Sequence, residues 1–174
     1  MRNLKQIMLF VMMGSLLTIT SCSKDDDSSG GGEVGSGTMT ANVDGASYKN
    51  FNNLGQATLA TTNGKKNLVI QSSNSNGQSI NIVIWNYTGP GTYKIESTGL
   101  NANTAIYTET DVSNPTNTQI WSAPYKDSAV ESIKITDETD SNVEGEFSFK
   151  GKNSGDDSVK NITDGKFNLS KVTV

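Results

Sequence analysis

The sequence predicts an all-β fold, an antiparallel β-sandwich of two sheets, from three observations. Apolar and polar residues alternate with a period of two, and turn-forming dipeptides recur roughly every 8–12 residues. Thr, Val, Ile and Tyr, which favour β structure, dominate the candidate strands. No stretch after Cys22 shows a sustained apolar repeat with the period of an α-helix. An up-and-down β-barrel is the alternative, because a sheet closed on itself gives the same alternation.

Residues 1–21 are expected to form a removable signal peptide. Arg2 and Lys5 precede an uncharged and mostly apolar run at 7–17, which matches the basic and apolar segments of an export signal. The run is shorter than the about 20 apolar residues that a membrane-spanning helix needs. A retained membrane helix is therefore the weaker interpretation of this segment.

Cys22 is the predicted site of lipidation. Residues 19–22, Ile-Thr-Ser-Cys, resemble the bacterial lipobox, in which a branched apolar residue and two small residues precede an obligatory cysteine. Cys22 is the only cysteine of the chain, so it has no partner for an intramolecular disulfide. Two or more acyl chains anchor a protein firmly. The resemblance therefore implies that the membrane is a partner of the protein through lipid on Cys22.

The segment 22–37 is expected to be an acylated cysteine followed by a flexible tether. Ser, Gly, Asp and Glu dominate it, and Val34 is its only aliphatic residue, too little apolar area to order a chain. Its start, Ser-Lys-Asp-Asp-Asp at 23–27, resembles the tract of Bacteroidota lipoproteins that are exported to the outer face of the outer membrane. This resemblance implies an outer-membrane lipoprotein that faces the extracellular side. Alternatively, the acidic run only keeps the tether solvated.

The region 38–174 is expected to form a single β-rich domain. Four dipeptides supply the positive φ angles of tight hairpin turns, namely Asp44-Gly45, Asn63-Gly64, Asn76-Gly77 and Asp164-Gly165. A further turn is expected at Gly89-Pro90-Gly91, where proline fixes φ. The clearest strands lie at 67–72, 79–86, 143–150 and 166–174.

Alternation assigns the faces of these strands. In the predicted strand at 79–86, one face carries Ile80, Ile82 and Ile84. The other face carries Asn81, Val83 and Trp85. In the third, the side chains expected inward are Val143, Gly145, Phe147 and Phe149, opposite Glu144, Glu146, Ser148 and Lys150. In the last, Phe167 and Leu169 are expected inward. Because apolar side chains are sparse, we expect one thin core between two sheets with polar outer faces.

Four motifs of the domain resemble a known family. They are Ala-Asn-Val-Asp-Gly at 41–45, Gly-Thr-Tyr at 91–93, Val-Glu-Gly-Glu-Phe-Ser-Phe at 143–149 and Ile-Thr-Asp-Gly-Lys-Phe at 162–167. Their order and spacing are similar to those of Bacteroidota lipoproteins classed as a domain of unknown function, and the resemblance extends over residues 38–174. It implies an exported, anchored β domain, and it provides no known catalytic residues to transfer.

Composition excludes several kinds of chemistry. The chain contains no histidine, which removes His-dependent catalysis and the usual zinc sites. With Cys22 acylated, no thiolate remains, and no glycine-rich phosphate loop follows a strand. The formal net charge is −4 without a cluster of Lys and Arg, so nucleic acid is not an expected partner. We expect no cofactor.

The carboxylates do not form a recognisable site. Glu144 and Glu146 lie on one strand face about 7 Å apart, a separation seen in inverting glycosidases, but that face is expected to be solvated. The acidic loops at 137–140 and 156–157 lack the spacing of a calcium loop. We therefore expect no catalytic residue and no metal site.

Aromatic residues and two short motifs remain as candidate sites. Trp85, Tyr87 and Trp121 are candidate ligand-binding residues, because aromatic side chains stack on sugars or anchor protein partners. If the face that Trp85 shares with Val83 and Tyr87 is exposed, the three would form an apolar contact patch. Asp-Ser-Ala at 127–129 and Asp-Ser-Val at 157–159 look like the acceptor motif for O-glycosylation of exported Bacteroidota proteins, at Ser128 and Ser158.

These observations favour a membrane-anchored, non-enzymatic binding module with a glycan or an envelope protein as its partner. The first alternative is a structural component of the envelope or a biofilm without a discrete ligand site. A glycan-active hydrolase is the third hypothesis.

Overall fold

The structure is a computed structural model that describes residues 34–96, 102–126 and 131–174. These residues form eleven β-strands and no helix, so the all-β prediction is confirmed. The strands are β1 Thr38–Val43, β2 Ala46–Lys49, β3 Gly55–Thr62, β4 Lys65–Ser73, β5 Gln78–Ile84, β6 Gly91–Ile95, β7 Thr104–Thr110, β8 Thr118–Ala123, β9 Glu131–Glu138, β10 Asn142–Lys152 and β11 Val159–Thr173. The predicted signal peptide, Cys22 and Ser128 lie outside the described residues.

The strands form one eleven-stranded sheet in the order β2-β1-β11-β3-β4-β5-β7-β8-β10-β9-β6, with an additional pairing of β10 with β11. We divide it into two antiparallel parts, which we call the first sheet, β2-β1-β11-β10-β9-β6, and the second sheet, β3-β4-β5-β7-β8. The end of β11 pairs in parallel with β3, and the end of β10 pairs with β8 at Lys152 and Ser122. These two links join both parts into one hydrogen-bonded network, so the strand pairing fits the predicted sandwich and the barrel alternative alike.

One apolar core lies between the two sheets. Ile80, Ile82 and Ile84 of β5 are fully buried, which confirms the face that alternation assigned to them. Hydrogen bonds cross the core as well, because the Tyr48 hydroxyl of β2 lies 2.7 Å from Ser72 Oγ of β4. Burial raises the pKa of Tyr48 to about 12. The first sheet therefore faces the second through both apolar and polar contacts.

The hairpin of β10 and β11 is built on reciprocal glycine–phenylalanine pairs. Gly145 lies opposite Phe167, and Phe147 lies opposite Gly165. A methyl group added at Gly145 would lie 2.5 Å from Phe167 Cζ, and one at Gly165 would lie 2.6 Å from the Phe147 ring. Each ring therefore covers a glycine on the neighbouring strand, an arrangement that stabilises glycine within a sheet. The predicted inward face of β10 is confirmed.

Two local predictions about turns and strand ends are wrong. Asp164-Gly165 is not a hairpin turn but part of a bulge within β11, where the register with β10 shifts by one residue. Asp164 has φ +53°. The positive φ that the dipeptide predicts is therefore present, but it forms part of a bulge instead of a turn. In addition, β5 ends at Ile84 rather than at Asn86, whose φ of +52° turns the chain. Asp44-Gly45 and Asn63-Gly64 form turns with positive φ at both residues, as predicted.

Candidate ligand-binding face

Among its described residues, the outward side of the second sheet carries one ionisable side chain, Lys65, which pairs with Thr62 beside the Asn63-Gly64 turn. Burial alternates along each strand, so that apolar side chains face the core and their neighbours face solvent. We call these outward residues the outer face: Gln56, Thr58, Ala60, Asn67, Val69, Gln71, Ser73, Ser79, Asn81, Val83, Thr104, Ile106, Thr108, Thr110, Thr118, Ile120 and Ser122. Lys65, beside the Asn63-Gly64 turn, lies at its margin.

The outward side of the first sheet is charged, in contrast. Its exposed or half-buried side chains include Lys94, Lys134, Glu146, Lys150 and Lys166. Since both sheets cover the same core, burial alone does not explain why only one of the two solvent-facing surfaces carries many charges. The outer face therefore differs from the rest of the surface in its chemistry.

The register of the strands arranges the outer face in rows. The central row consists of Gln56 on β3, Gln71 on β4 and Asn81 on β5, followed by Ile106 and Ser122. We call its first three residues the amide row. Thr58, Val69, Val83 and Thr104 form the neighbouring row on one side, and Ser73, Ser79, Thr108 and Ile120 form the row on the other.

A groove of about 570 Å³ runs along the amide row. All three amides line it, together with Ser73 and Ser79 of the next row. The loop between β2 and β3 contributes Asn53 and Leu54, and β11 contributes Ser170. No residue that lines the groove is ionisable. A smaller groove of about 300 Å³, lined in part by Lys49, Phe51 and Asn76, lies at the same loop.

The amides of the amide row are free to bind a ligand. None of the three side-chain amides hydrogen-bonds to another residue in the described part of the chain. Some amides elsewhere serve the fold: the Asn153 side chain donates to Gln119 Oε1 at 2.9 Å, and that of Asn142 donates to Asn168 Oδ1 at 2.8 Å. A primary amide offers two donors and an acceptor with two lone pairs. The row therefore presents unused donors and acceptors to the groove.

The loop that forms one wall of the groove is fixed by hydrogen bonds. The buried side chain of Asn50 accepts a bond from Met39 N at 2.7 Å and donates to the carbonyl oxygen of Gly37 at 2.9 Å. Phe51 N donates to Ser73 O, and Ser73 N donates to Leu54 O, each at 2.9 Å. The loop is thus tied to β1 and β4. It holds the Phe51 and Leu54 side chains 59% and 49% exposed.

Of the predicted aromatic residues, only Trp85 is exposed. It is 40% exposed, whereas Tyr87 and Trp121 are 4% and 5% exposed. Tyr87 packs against Tyr93 and donates a hydrogen bond to Glu138 Oε2 at 2.8 Å. The expected patch of Trp85, Val83 and Tyr87 is therefore wrong, because the chain turns at Asn86 and directs Tyr87 into the core. Trp85 directly follows β5, roughly 13 Å along the strand from Asn81, at the end away from the groove.

Trp121 and Ser158 form a structural contact. Trp121 faces the core from β8, packs against Tyr107 and donates from Nε1 to Ser158 Oγ at 2.9 Å. Ser158 in turn donates to Asp156 Oδ1 at 2.7 Å. Its hydroxyl thus accepts one hydrogen bond and donates another, and glycosylation of this predicted acceptor would remove the bond donated to Asp156.

The carboxylates lie outside both grooves. Glu144 accepts a hydrogen bond from Asn168 Nδ2 at 2.7 Å, and Glu146 is exposed on the charged side. Burial opposes ionisation of Glu138, but hydrogen bonds from Lys171 and Tyr87 lower its pKa below the ordinary value. Among the described residues, no group of three His, Cys, Asp or Glu side chains is arranged to hold a metal ion.

The fold and the face define an all-β domain with one uncharged, amide-bearing surface. The family described as a domain of unknown function (DUF6252) matches residues 36–169, and the chain belongs to this family. This match confirms the resemblance to a domain of unknown function. Neither a curated protein nor a solved structure matches the chain. None of the described residues belongs to a helix that is long and apolar enough to span a bilayer.

The sequence did not reveal the amide row or the loop wall. Gln56, Gln71 and Asn81 belong to three strands, and only the strand register brings them together. A usable signal was the loop at 50–54, which places Phe51 and Leu54 among polar residues and glycine.

Proposed function

We propose that the domain is a non-enzymatic binding module whose groove along the amide row binds a neutral glycan. The observation that carries this proposal is the amide row, which lines an uncharged groove with amides that have no partner in the fold. Sugar hydroxyls are both donors and acceptors, and side-chain amides complement both roles. A neutral ligand also avoids the large cost of burying an unpaired charge.

The groove supports binding rather than catalysis. Glycoside hydrolysis uses a pair of carboxyl groups beside the scissile bond, and no carboxyl group of the described residues lines either groove. The exposed Phe51 and Leu54 provide apolar surface for the C–H faces of sugar rings or for an envelope protein, the second candidate partner.

The binding proposal is tested on the full-length protein in a sugar-free detergent. Isothermal titration against neutral and against sulfated or carboxylated polysaccharides should detect binding of neutral chains alone. Gln71→Glu or Asn81→Asp should weaken that binding by about tenfold or more, since each places in the groove a charge that the bound neutral ligand would cover. Ser132→Asp, which adds the same charge on an exposed site of β9, should change the affinity by less than about twofold. Equal effects of the three variants would contradict the proposal.

We further propose that the module is displayed from the outer membrane by lipid on Cys22. The lipobox-like residues 19–22 and the acidic tract at 23–27 support this location. Radiolabelled palmitate should enter the wild-type protein and not Cys22→Ser, and protease added to intact cells should cleave the wild-type domain. Labelling of the Cys22→Ser variant at the wild-type level would exclude Cys22 as the acylated residue, and full protection from protease would exclude surface display.

A further inference from the structure

We infer that the groove binds an extended, β-linked neutral glycan whose chain crosses the strands, with about one sugar unit above each strand. This inference rests on the proposed function and adds the linkage class and the direction of the ligand. Three features carry it: the order of the strands that line the groove, their spacing, and the position of the fixed loop.

The residues that line the groove come from four strands that are neighbours in the network. Ser170 of β11 is followed by Gln56 of β3, Gln71 of β4 and Asn81 of β5. The groove therefore runs perpendicular to the strands, along the amide row. A ligand chain that follows the groove must do the same.

The spacing of the amides matches a chain of pyranose rings. Neighbouring strands of a sheet lie about 4.8 Å apart, which is close to the length of one pyranose unit in an extended β-linked chain. Along a strand, successive outward residues are about 7 Å apart, and the chemistry changes from amide at Gln56 to hydroxyl and methyl at Thr58. A ligand chain therefore meets an amide once per sugar unit only if it runs across the strands.

The regularity of the row selects the type of linkage. A β-1,4-linked chain is straight and ribbon-like, with each sugar turned over relative to the one before it. The chain therefore stays above the row and places hydroxyl groups near every amide. An α-1,4-linked chain coils and would leave the row after one or two units. Leu54 on its fixed loop provides an apolar wall against which the C–H face of one sugar can pack.

The length of the bound chain follows from the number of strands. Binding should tighten with each unit until the groove from β11 to β5 is filled, which takes about four units at one unit per strand. Each added unit should increase the affinity by about threefold or more, the factor that corresponds to one net hydrogen bond. Beyond six units, further length should change the affinity by less than about twofold.

The test is a titration of the full-length protein in a sugar-free detergent with oligosaccharides of one to seven units. The probes are β-1,4-linked oligomers of glucose, mannose and N-acetylglucosamine, and α-1,4-linked oligomers of glucose as the linkage control. At least one β-linked series should show the predicted rise and plateau, and the α-linked series should stay weak at all lengths.

Two matched variants test the direction of the chain. Gln71→Ala, within the amide row, should weaken binding of the tetramer by about threefold or more. Thr58→Val, on β3 beside Gln56 but in the next row, should leave it within about twofold. Circular dichroism and thermal melts confirm that both variants fold. If Thr58→Val weakens binding as much as Gln71→Ala, the chain does not run across the strands.

The remaining outcomes separate this inference from the proposed function. If monomer and tetramer bind equally, or if α- and β-linked chains bind equally, the inference is wrong while glycan binding stands. If no oligosaccharide binds at any length, both the inference and the proposed function are overturned.

Discussion

Glycine and phenylalanine occupy opposite positions in β10 and β11, and this pairing explains the motif at 143–149. Gly145 lies beneath Phe167, and Gly165 lies beneath Phe147. A larger residue at either glycine would displace a ring from the core. The repeated Gly-x-Phe spacing in this hairpin is therefore a packing motif, which no ligand is needed to explain.

Substitution of Gly145 should destabilise the domain. We expect Gly145→Ala to lower the free energy of unfolding by about 1–3 kcal/mol, since the added methyl overpacks the core against Phe167 and the Lys134 carbonyl. Urea unfolding followed by tryptophan fluorescence measures the change. Gly35→Ala is the control, because nothing lies within 4 Å of the added methyl. Equal stability of both variants and the wild type would show that Phe167 does not pack on Gly145.

Asn50 should contribute both to the stability of the domain and to its affinity for a glycan in the groove. Asn50→Ala leaves the buried N–H of Met39 without a partner, which should cost about 1–3 kcal/mol. It also releases the loop at 50–54, so glycan affinity should fall even where the protein remains folded. Asn50→Asp keeps the acceptor for Met39 N and should lose less stability. Unchanged affinity in Asn50→Ala would show that the loop is not a wall of the site.

At the scale of elements, one ion pair ties β9 to β11. Lys171 Nζ lies 2.8 Å from Glu138 Oε1, and both side chains are largely buried. Glu138 also accepts the hydroxyl of Tyr87. Because these groups come from two strands and the loop before β6, Glu138 joins three separate parts of the chain.

This arrangement predicts a dependence of stability on pH. The pKa of Glu138 is lowered in the folded state, so its contribution is complete above its ordinary value and is lost as pH falls through the lowered one. The free energy of unfolding should therefore decrease as the pH falls below the ordinary glutamate pKa of 4.5. The decrease should be smaller in Glu138→Gln, measured by urea unfolding at each pH. An identical pH profile in the variant would contradict the role of Glu138.

The sequence predicted elements better than it predicted their relations. Strict alternation in β10 identified the inward face, and Asp44-Gly45 identified a hairpin turn. The prediction of a hairpin turn at Asp164-Gly165 was wrong because turns and bulges both use positive φ. The prediction that Tyr87 faces outward with Trp85 was wrong because it extended the alternation beyond the end of β5. The amide row was not predictable, since Gln56 and Asn81 meet only through a register that two intervening turns determine.

At the scale of the whole molecule, the two solvent-facing surfaces differ in charge. The first sheet carries lysines and glutamates outward, whereas the described outward residues of the second include one charged side chain, Lys65 at its margin. The domain therefore presents one surface suited to water and ions and one suited to an uncharged ligand.

This asymmetry predicts that binding is insensitive to salt. Screening weakens interactions between charges, and the groove has none to screen. Raising the ionic strength from about 0.05 to about 0.5 M should change the affinity for a neutral glycan by less than about twofold. A steep decrease in titrations at the two ionic strengths would place the ligand on the charged surface of the first sheet instead.

The central claim is tested most directly by nuclear magnetic resonance of side-chain amides during addition of a neutral β-linked oligosaccharide. The NH₂ signals of Gln56, Gln71 and Asn81 should shift together and saturate at one affinity. Those of Asn50 and Asn153, which hydrogen-bond within the fold, should shift much less. Saturable binding that leaves the signals of the amide row unmoved would contradict the account.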